Sequence, residues 1–254
     1  RRISNLVDYA NSSDCFPGVD ISGGVCYFLW DRTYNGPCLV SNMRNGKLSD
    51  AINRELNDYP ILIRDNSACS IIDKIRISSK DVMSSCVSGQ KPFGFRTYER
   101  PTNTGDCVLR WNNGKGPIER SSIQSGISLI DKWKVIISRV VYEHAGRADS
   151  NGMKRVLSIL EILEPEEVCT ETYIVVGSFD TEKEAINLRD YLTTRFVRFL
   201  IAQVSTSTMI TKNSFMFVPI QSFDRKWTDA DLYNKYKLSA EEIEFIESTI
   251  KPMN

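Results

Sequence analysis

Residues 25 to 30, Val-Cys-Tyr-Phe-Leu-Trp, form an unbroken apolar run of strand length close to the first residue of the chain. Side chains of a strand alternate between its two faces, so a run that is apolar at every position asks for cover on both sides. The residues before it, Cys15-Phe16-Pro17-Gly18-Val19-Asp20-Ile21-Ser22-Gly23-Gly24, begin with turn chemistry and end in a Gly-Gly pair that admits close backbone approach. Ile3 to Tyr9 and Cys38 to Val40 also read as strands, the second introduced by the turn Asn35-Gly36-Pro37. Three strands with no intervening helix cannot cover a central strand that is apolar on both faces. The expectation is a buried strand over residues 25 to 30, in a sheet whose remaining strands come from sequence before this chain.

The later sequence changes character. Short strands are expected at Ile61 to Ile63, Ile71 to Ile77, Phe93 to Thr97, Val108 to Trp111, Val135 to Tyr142 and Tyr173 to Val176. Asn112-Asn113-Gly114 supplies the left-handed residues of a hairpin turn. From Thr181, capping-box spacing opens one helix whose apolar face runs through Ala185, Leu188, Leu192, Phe196 and Phe199. Phe215 to Pro219 reads as a strand, and Thr228 with Asp231 and Ser239 with Glu242 cap two final helices. Residues 46–254 are therefore expected to form a mixed α+β unit.

No apolar stretch is long enough to predict a transmembrane helix, and Arg1-Arg2-Ile3-Ser4-Asn5 lacks signal-peptide features, so the cytoplasm is the default expectation. Seven scattered cysteines, with no Cys-x-x-Cys pair, favour free thiols over a disulfide framework or zinc site. The formal net charge is zero, yet residues 74 to 154 hold 14 Lys and Arg against 7 Asp and Glu. A basic middle between acidic flanks is able to present a local phosphate-binding surface.

Catalytic patterns are few. His144, the single histidine, sits in Tyr-Glu-His-Ala-Gly and reads as a loop residue. No glycine-rich phosphate loop occurs. Asp224-Arg225-Lys226 has the Asp-x-Lys form of some metal-dependent nucleases, but its sequence context is that of a solvated loop before a capped helix.

The segment from Phe16 to Trp30, with Lys91-Pro92-Phe93-Gly94-Phe95-Arg96-Thr97, Thr170-Glu171-Thr172-Tyr173, the run Tyr191 to Leu200 and the tail Trp227 to Tyr233, resembles the C-terminal part of gamma-class adenine-N6 DNA methyltransferases of restriction-modification systems. The resemblance implies an α/β plus α+β architecture. Residues 1–45 would be the terminal strands of a Rossmann-like methyltransferase sheet, and 46–254 a mixed α+β target recognition domain. It also implies that Phe28, or its neighbour Tyr27, packs against an adenine turned out of the duplex. The S-adenosyl-L-methionine loop and the Pro-Pro-Tyr motif of such enzymes lie before this segment, and this chain contains no Pro-Pro. It is thus expected to bind no cofactor or metal itself, to partner double-stranded DNA and a catalytic region that precedes it, and to have no membrane association. Candidate DNA contacts are Arg96, Arg100, Arg110, Asn112, Asn113, Lys115, Arg120, Arg147 and Lys212, with Gln124 a further adenine reader and Tyr98 a stacking residue; Trp111 is read as core. A stand-alone specificity module and a nuclease using Asp224 and Lys226 are the competing readings; a free module has no need of an orphaned strand.

Overall fold

The structure, a computed structural model, describes residues 2–19, 21, 23–44, 46–142, 148–149, 151–205 and 209–253. Among them lie three small sheets and five helices, a mixed α/β content consistent with an α+β protein.

The three strands expected at the start are present. In the first sheet β1 (Ile3–Tyr9) lies between β2 (Val25–Trp30), antiparallel to it, and β3 (Cys38–Arg44), parallel to it. Two short strands, β4 (Lys47–Leu48) and β5 (Ile52–Arg54), pair antiparallel with β3. The expected burial of β2 is wrong for this chain. It is an edge strand, and Tyr27, Phe28, Leu29 and Trp30 are 56%, 55%, 59% and 53% exposed. The buried residues of this sheet's own cluster are Leu6, Cys38 and Val40, beneath β1 and β3, which leaves both faces of β2 open.

Residues 71 to 77 are helical, not a strand. They belong to α1 (Asn66–Ser78), whose first turn is capped by the Asp65 carboxylate accepting from the Ser67 amide. Ala68, Ile71, Ile72 and Ile75 are buried at helical spacing. The β-branched run hid that period because isoleucine suits strands as well.

The hairpin of β6 (Cys107–Trp111) and β7 (Gly114–Ile118) turns through Asn112 and Asn113 as expected, and β10 (Glu167–Cys169) joins it parallel to β6. The third sheet runs β11 (Tyr173–Phe179), β8 (Trp133–Ser138), β9 (Leu160–Leu163). Alternation along its strands sets the layers. Val135, Ile137, Ile174 and Val176 join a helical core, while Ile136, Tyr173 and Val175 pack with Leu109 and Val168 of the hairpin sheet. The third sheet is thus held between helices and the hairpin sheet.

The single helix expected from Thr181 is two. The side chain of Thr194 ends α2 (Glu182–Thr193) and caps α3 (Arg195–Val204) by accepting from the Val197 amide. Both helices feed one core, so the apolar period runs through the break. Ile61 to Ile63 and Phe93 to Thr97 are not strands, though Ile63, Phe93 and Phe95 are buried. Strand β8 ends at Ser138, short of Tyr142, and Phe215 to Pro219 begins in a 3-10 turn over Lys212–Phe215 rather than a strand. Helices α4 (Asp229–Lys235) and α5 (Ala240–Thr249) carry the expected capping boxes at Thr228 and Ser239.

Candidate functional site

Two regions carry the sequence-derived site residues. The first is the connection from β1 to β2. Its inner side is pinned by Ser12, whose hydroxyl donates to the Val19 carbonyl (2.9 Å) and accepts from the Ile21 amide (2.8 Å). Its return to the sheet is fixed by Arg64, which precedes α1. The Arg64 guanidinium donates to Asp8 Oδ1 (2.9 Å), to the Tyr9 carbonyl (3.1 Å) and to the Gly23 carbonyl. Asp8 is buried and also paired with Arg44 (3.1 Å), so two cations hold one carboxylate within the sheet. Compact loops with close ends, packed by their own side chains, commonly carry function. This one shows Phe16, Val19 and Ile21 to solvent, next to the exposed β2.

Register separates the two aromatic candidates. Phe28 stands opposite Leu6, itself opposite Val40, on the face with the small buried cluster. Tyr27 stands opposite Val7 on the other face, its ring 5.9 Å from that of Tyr9.

The second region is the β6 to β7 hairpin. Arg110 and Lys115 face each other across it, with Asn112 and Asn113 exposed at the tip. The loop bearing Arg96 and Arg100 comes back onto the hairpin at Pro101, so close that a Cβ at Gly116 would lie 2.8 Å from the proline ring. Thr170 donates its amide to the Arg110 carbonyl, and Glu171 donates its amide to the Phe95 carbonyl. The fold therefore gathers Arg96, Arg100, Arg110, Asn112, Asn113 and Lys115 into one neighbourhood. Trp111 is only half-buried and lies over Gly114, a hairpin surface rather than the expected core. Tyr98 is exposed, and Gln124 packs against Gly94. Arg120 lies at the far end of β7, its amide bonded to Asp106. Lys212 is exposed on its 3-10 turn beside α3, apart from the hairpin. Arg147 and His144 lie outside the described residues.

Most of these cations already have an acidic neighbour. Arg110 grips Glu161 with Nε to Oε2 at 2.8 Å and Nη2 to Oε1 at 2.6 Å, and its guanidinium lies 5.0 Å from the centre of the Tyr173 ring. That hydrogen bond, against some burial, lowers the Glu161 carboxyl below its usual range. Lys115 Nζ meets both Glu167 oxygens, at 2.8 and 2.7 Å. Arg120 Nη1 reaches Asp131 Oδ1 at 2.8 Å, and Arg96 Nη1 lies 4.0 Å from Glu171. Arg100 turns to the carbonyls of Thr97 and Glu99.

With a side chain 13% exposed, Arg110 is built into the fold. Arg110→Ala is expected to cost about 1–3 kcal/mol through lost charged hydrogen bonds and packing. Because the folded Glu161 pKa is depressed, its contribution is present above the unfolded value near ~4.3 and is lost as pH falls through the folded value. Urea denaturation at neutral pH and under acid measures it: the gap between native and variant should narrow on acidification, and a constant gap would assign the loss to packing alone.

Asp224 accepts from Ser222, and Lys226 pairs with Asp190 at 3.0 Å, so the Asp-x-Lys residues face different partners. Among the described residues, no group of three or more His, Cys, Asp or Glu side chains gathers as metal ligands do. No described helix is long and apolar enough to cross a membrane. The sequence reading missed Arg64 and the carboxylates Glu161, Glu167 and Glu171, because their partners lie far away in sequence, and it missed Asp131, whose pairing with Arg120 has no local pattern. Asp8 did carry a signal, as a charge inside a strand with apolar neighbours.

No family model matches the chain. A stretch of 77 residues, 30% of the chain, is 32% identical to an uncharacterized adenine-specific methylase of Mycoplasma pneumoniae. The match spans 18% of that protein's length. The likeness supports a methyltransferase relationship.

Proposed function

We propose that this chain is the C-terminal part of an adenine-N6 DNA methyltransferase of the gamma class, within a restriction-modification system, and that its own contribution is sequence-specific recognition of duplex DNA. The observation that carries this reading is β2, apolar along its length, exposed on both faces and hydrogen-bonded on one edge only. Such an edge is a template for further strand pairing and is rarely left bare. In this reading a preceding catalytic region pairs with it and covers its faces, continuing a Rossmann-like sheet. That region supplies the S-adenosyl-L-methionine site and the Pro-Pro-Tyr motif that residues 1–254 do not contain. The partial likeness to an adenine-specific methylase supports the same reading.

The hairpin tip is the element suited to a groove. Asn112 and Asn113 are exposed on a two-residue turn, and an asparagine amide matches the paired donor and acceptor of adenine. The loop of Arg96 and Arg100 beside it offers phosphate contacts. Phe28 would stack on the extruded adenine from the edge of the catalytic sheet. A stand-alone specificity module remains the second reading; the exposed β2 weighs against it. Binding of labelled duplexes over a range of salt tests the proposal. Sequence-dependent affinity that falls steeply as salt rises is expected, and flat salt dependence with no preferred duplex would refute it.

A further inference from the structure

The hairpin cations are matched by carboxylates from elsewhere in the fold: Arg110 by Glu161 on β9, Lys115 by Glu167 on β10, Arg120 by Asp131 and Arg96 by Glu171. A surface offered to phosphates would be expected to keep its positive charge uncompensated. Here Arg110, Lys115 and Arg120 meet carboxylates directly and Arg96 lies 4.0 Å from Glu171, while Arg100 turns to the carbonyls of Thr97 and Glu99. Resting on the reading that this region meets duplex DNA, we propose that Glu167 and Asp131 are specificity-determining counter-charges. They hold the positions a phosphate would take at Lys115 and Arg120, and so keep DNA of arbitrary sequence from binding.

The geometry supports substitution of one anion by the other. Both oxygens of Glu167 meet Lys115, and both oxygens of Asp131 meet the Arg120 guanidinium, the forked arrangement a phosphate also makes. The cations at these pairs remain accessible, at 40% for Lys115 and 37% for Arg120. Exposed pairs of this kind contribute little, so a well-placed phosphate is able to displace the carboxylate. Displacement gains little by itself, however, because one ion pair replaces another. Arg100, which is exposed and bonded to carbonyls, keeps an attraction to phosphate, and discrimination must come from uncharged contacts, which Asn112 and Asn113 provide only where the base edges match. Arg110 is the internal contrast: packed against Glu161 and Tyr173 and only 13% exposed, it offers little surface to exchange.

The test uses the full chain, a short random-sequence duplex as probe, and the substitutions Glu167→Gln and Asp131→Asn, singly and together, which keep shape while removing charge. Between about 50 and 200 mM salt, each substitution should tighten binding on the order of threefold to tenfold and steepen the plot of log affinity against log salt by about 0.9. Adding Lys115→Ala to Glu167→Gln should reverse the gain, and Glu161→Gln should leave the slope unchanged. If the native chain binds the random duplex and neither substitution alters the slope, the counter-charge role is overturned while DNA recognition stands. If no variant binds any duplex at low salt, the proposal and the recognition reading fall together.

Discussion

Gly24→Ala is expected to cost about 3–5 kcal/mol and to release the connection between β1 and β2 from the sheet. Gly24 has φ +73°, a conformation that costs other residues about 1–2 kcal/mol. Steric conflict adds to this, since a Cβ there would lie 2.2 Å from the Tyr9 carbonyl oxygen and 2.7 Å from that of Ala10. Both are backbone atoms of the strand end that Arg64 also grips, so neither yields cheaply. The first sheet has little reserve, because its buried cluster is Leu6, Cys38 and Val40. Gly18→Ala is the control: φ is +81°, but nothing lies within 4 Å of the added carbon, so only the backbone cost of about 1–2 kcal/mol applies. Hydrogen exchange of the β1 and β2 amides reads both. Protection lost in Gly24→Ala and kept in Gly18→Ala is expected, and equal behaviour would mean that close packing at Gly24 does not hold the loop.

Phe28→Ala should lower methyl transfer about 10- to 100-fold in a protein that joins this chain to the proposed catalytic region, while duplex binding by the chain changes little. An aromatic face stacked on an extruded base contributes about 1–3 kcal/mol, and each 1.36 kcal/mol is about tenfold in rate. The exposed ring is not part of a buried cluster, so its removal should not unfold the sheet. Tyr27→Ala separates the two faces of β2. Tyr27 lies opposite Val7 and beside Tyr9, and its loss should leave methylation near the native rate. Equal losses for both substitutions would assign the effect to docking of the edge rather than to stacking on adenine.

What was legible in the sequence followed from local chemistry. The strands around Tyr9, Trp30 and Val40, the Asn112-Asn113 hairpin and the caps at Thr181, Thr228 and Ser239 stand where their residues put them, because turns and caps act over a few neighbours. Composition misled at residues 71 to 77, where isoleucines suggested a strand but Asp65 as N-cap and the Ala68, Ile71, Ile72, Ile75 spacing form α1. Thr194 was hidden for another reason: it ends one helix and starts the next without disturbing the apolar period that both share.

The site was legible only as a list of charges. That Arg96, Arg100, Arg110 and Lys115 share a neighbourhood follows from Pro101 folding back on Gly116, a contact without a local signature. That Arg110 serves the fold follows from Glu161, 51 positions away, and Tyr173. The apolar run of β2 reads in the sequence as a buried strand and is exposed in the structure, and a strand apolar at every position asks for cover. Its exposure gives that requirement a place: an open edge beside the connection that Ser12 and Arg64 hold rigid.

The most direct measurement is selection by the chain from a pool of random-sequence duplexes at moderate salt, followed by sequencing of the bound fraction. A methyltransferase recognition region should enrich one recurrent motif that contains an adenine. Enrichment of no motif, with retained duplexes indistinguishable from the starting pool, would contradict sequence-specific recognition by this chain.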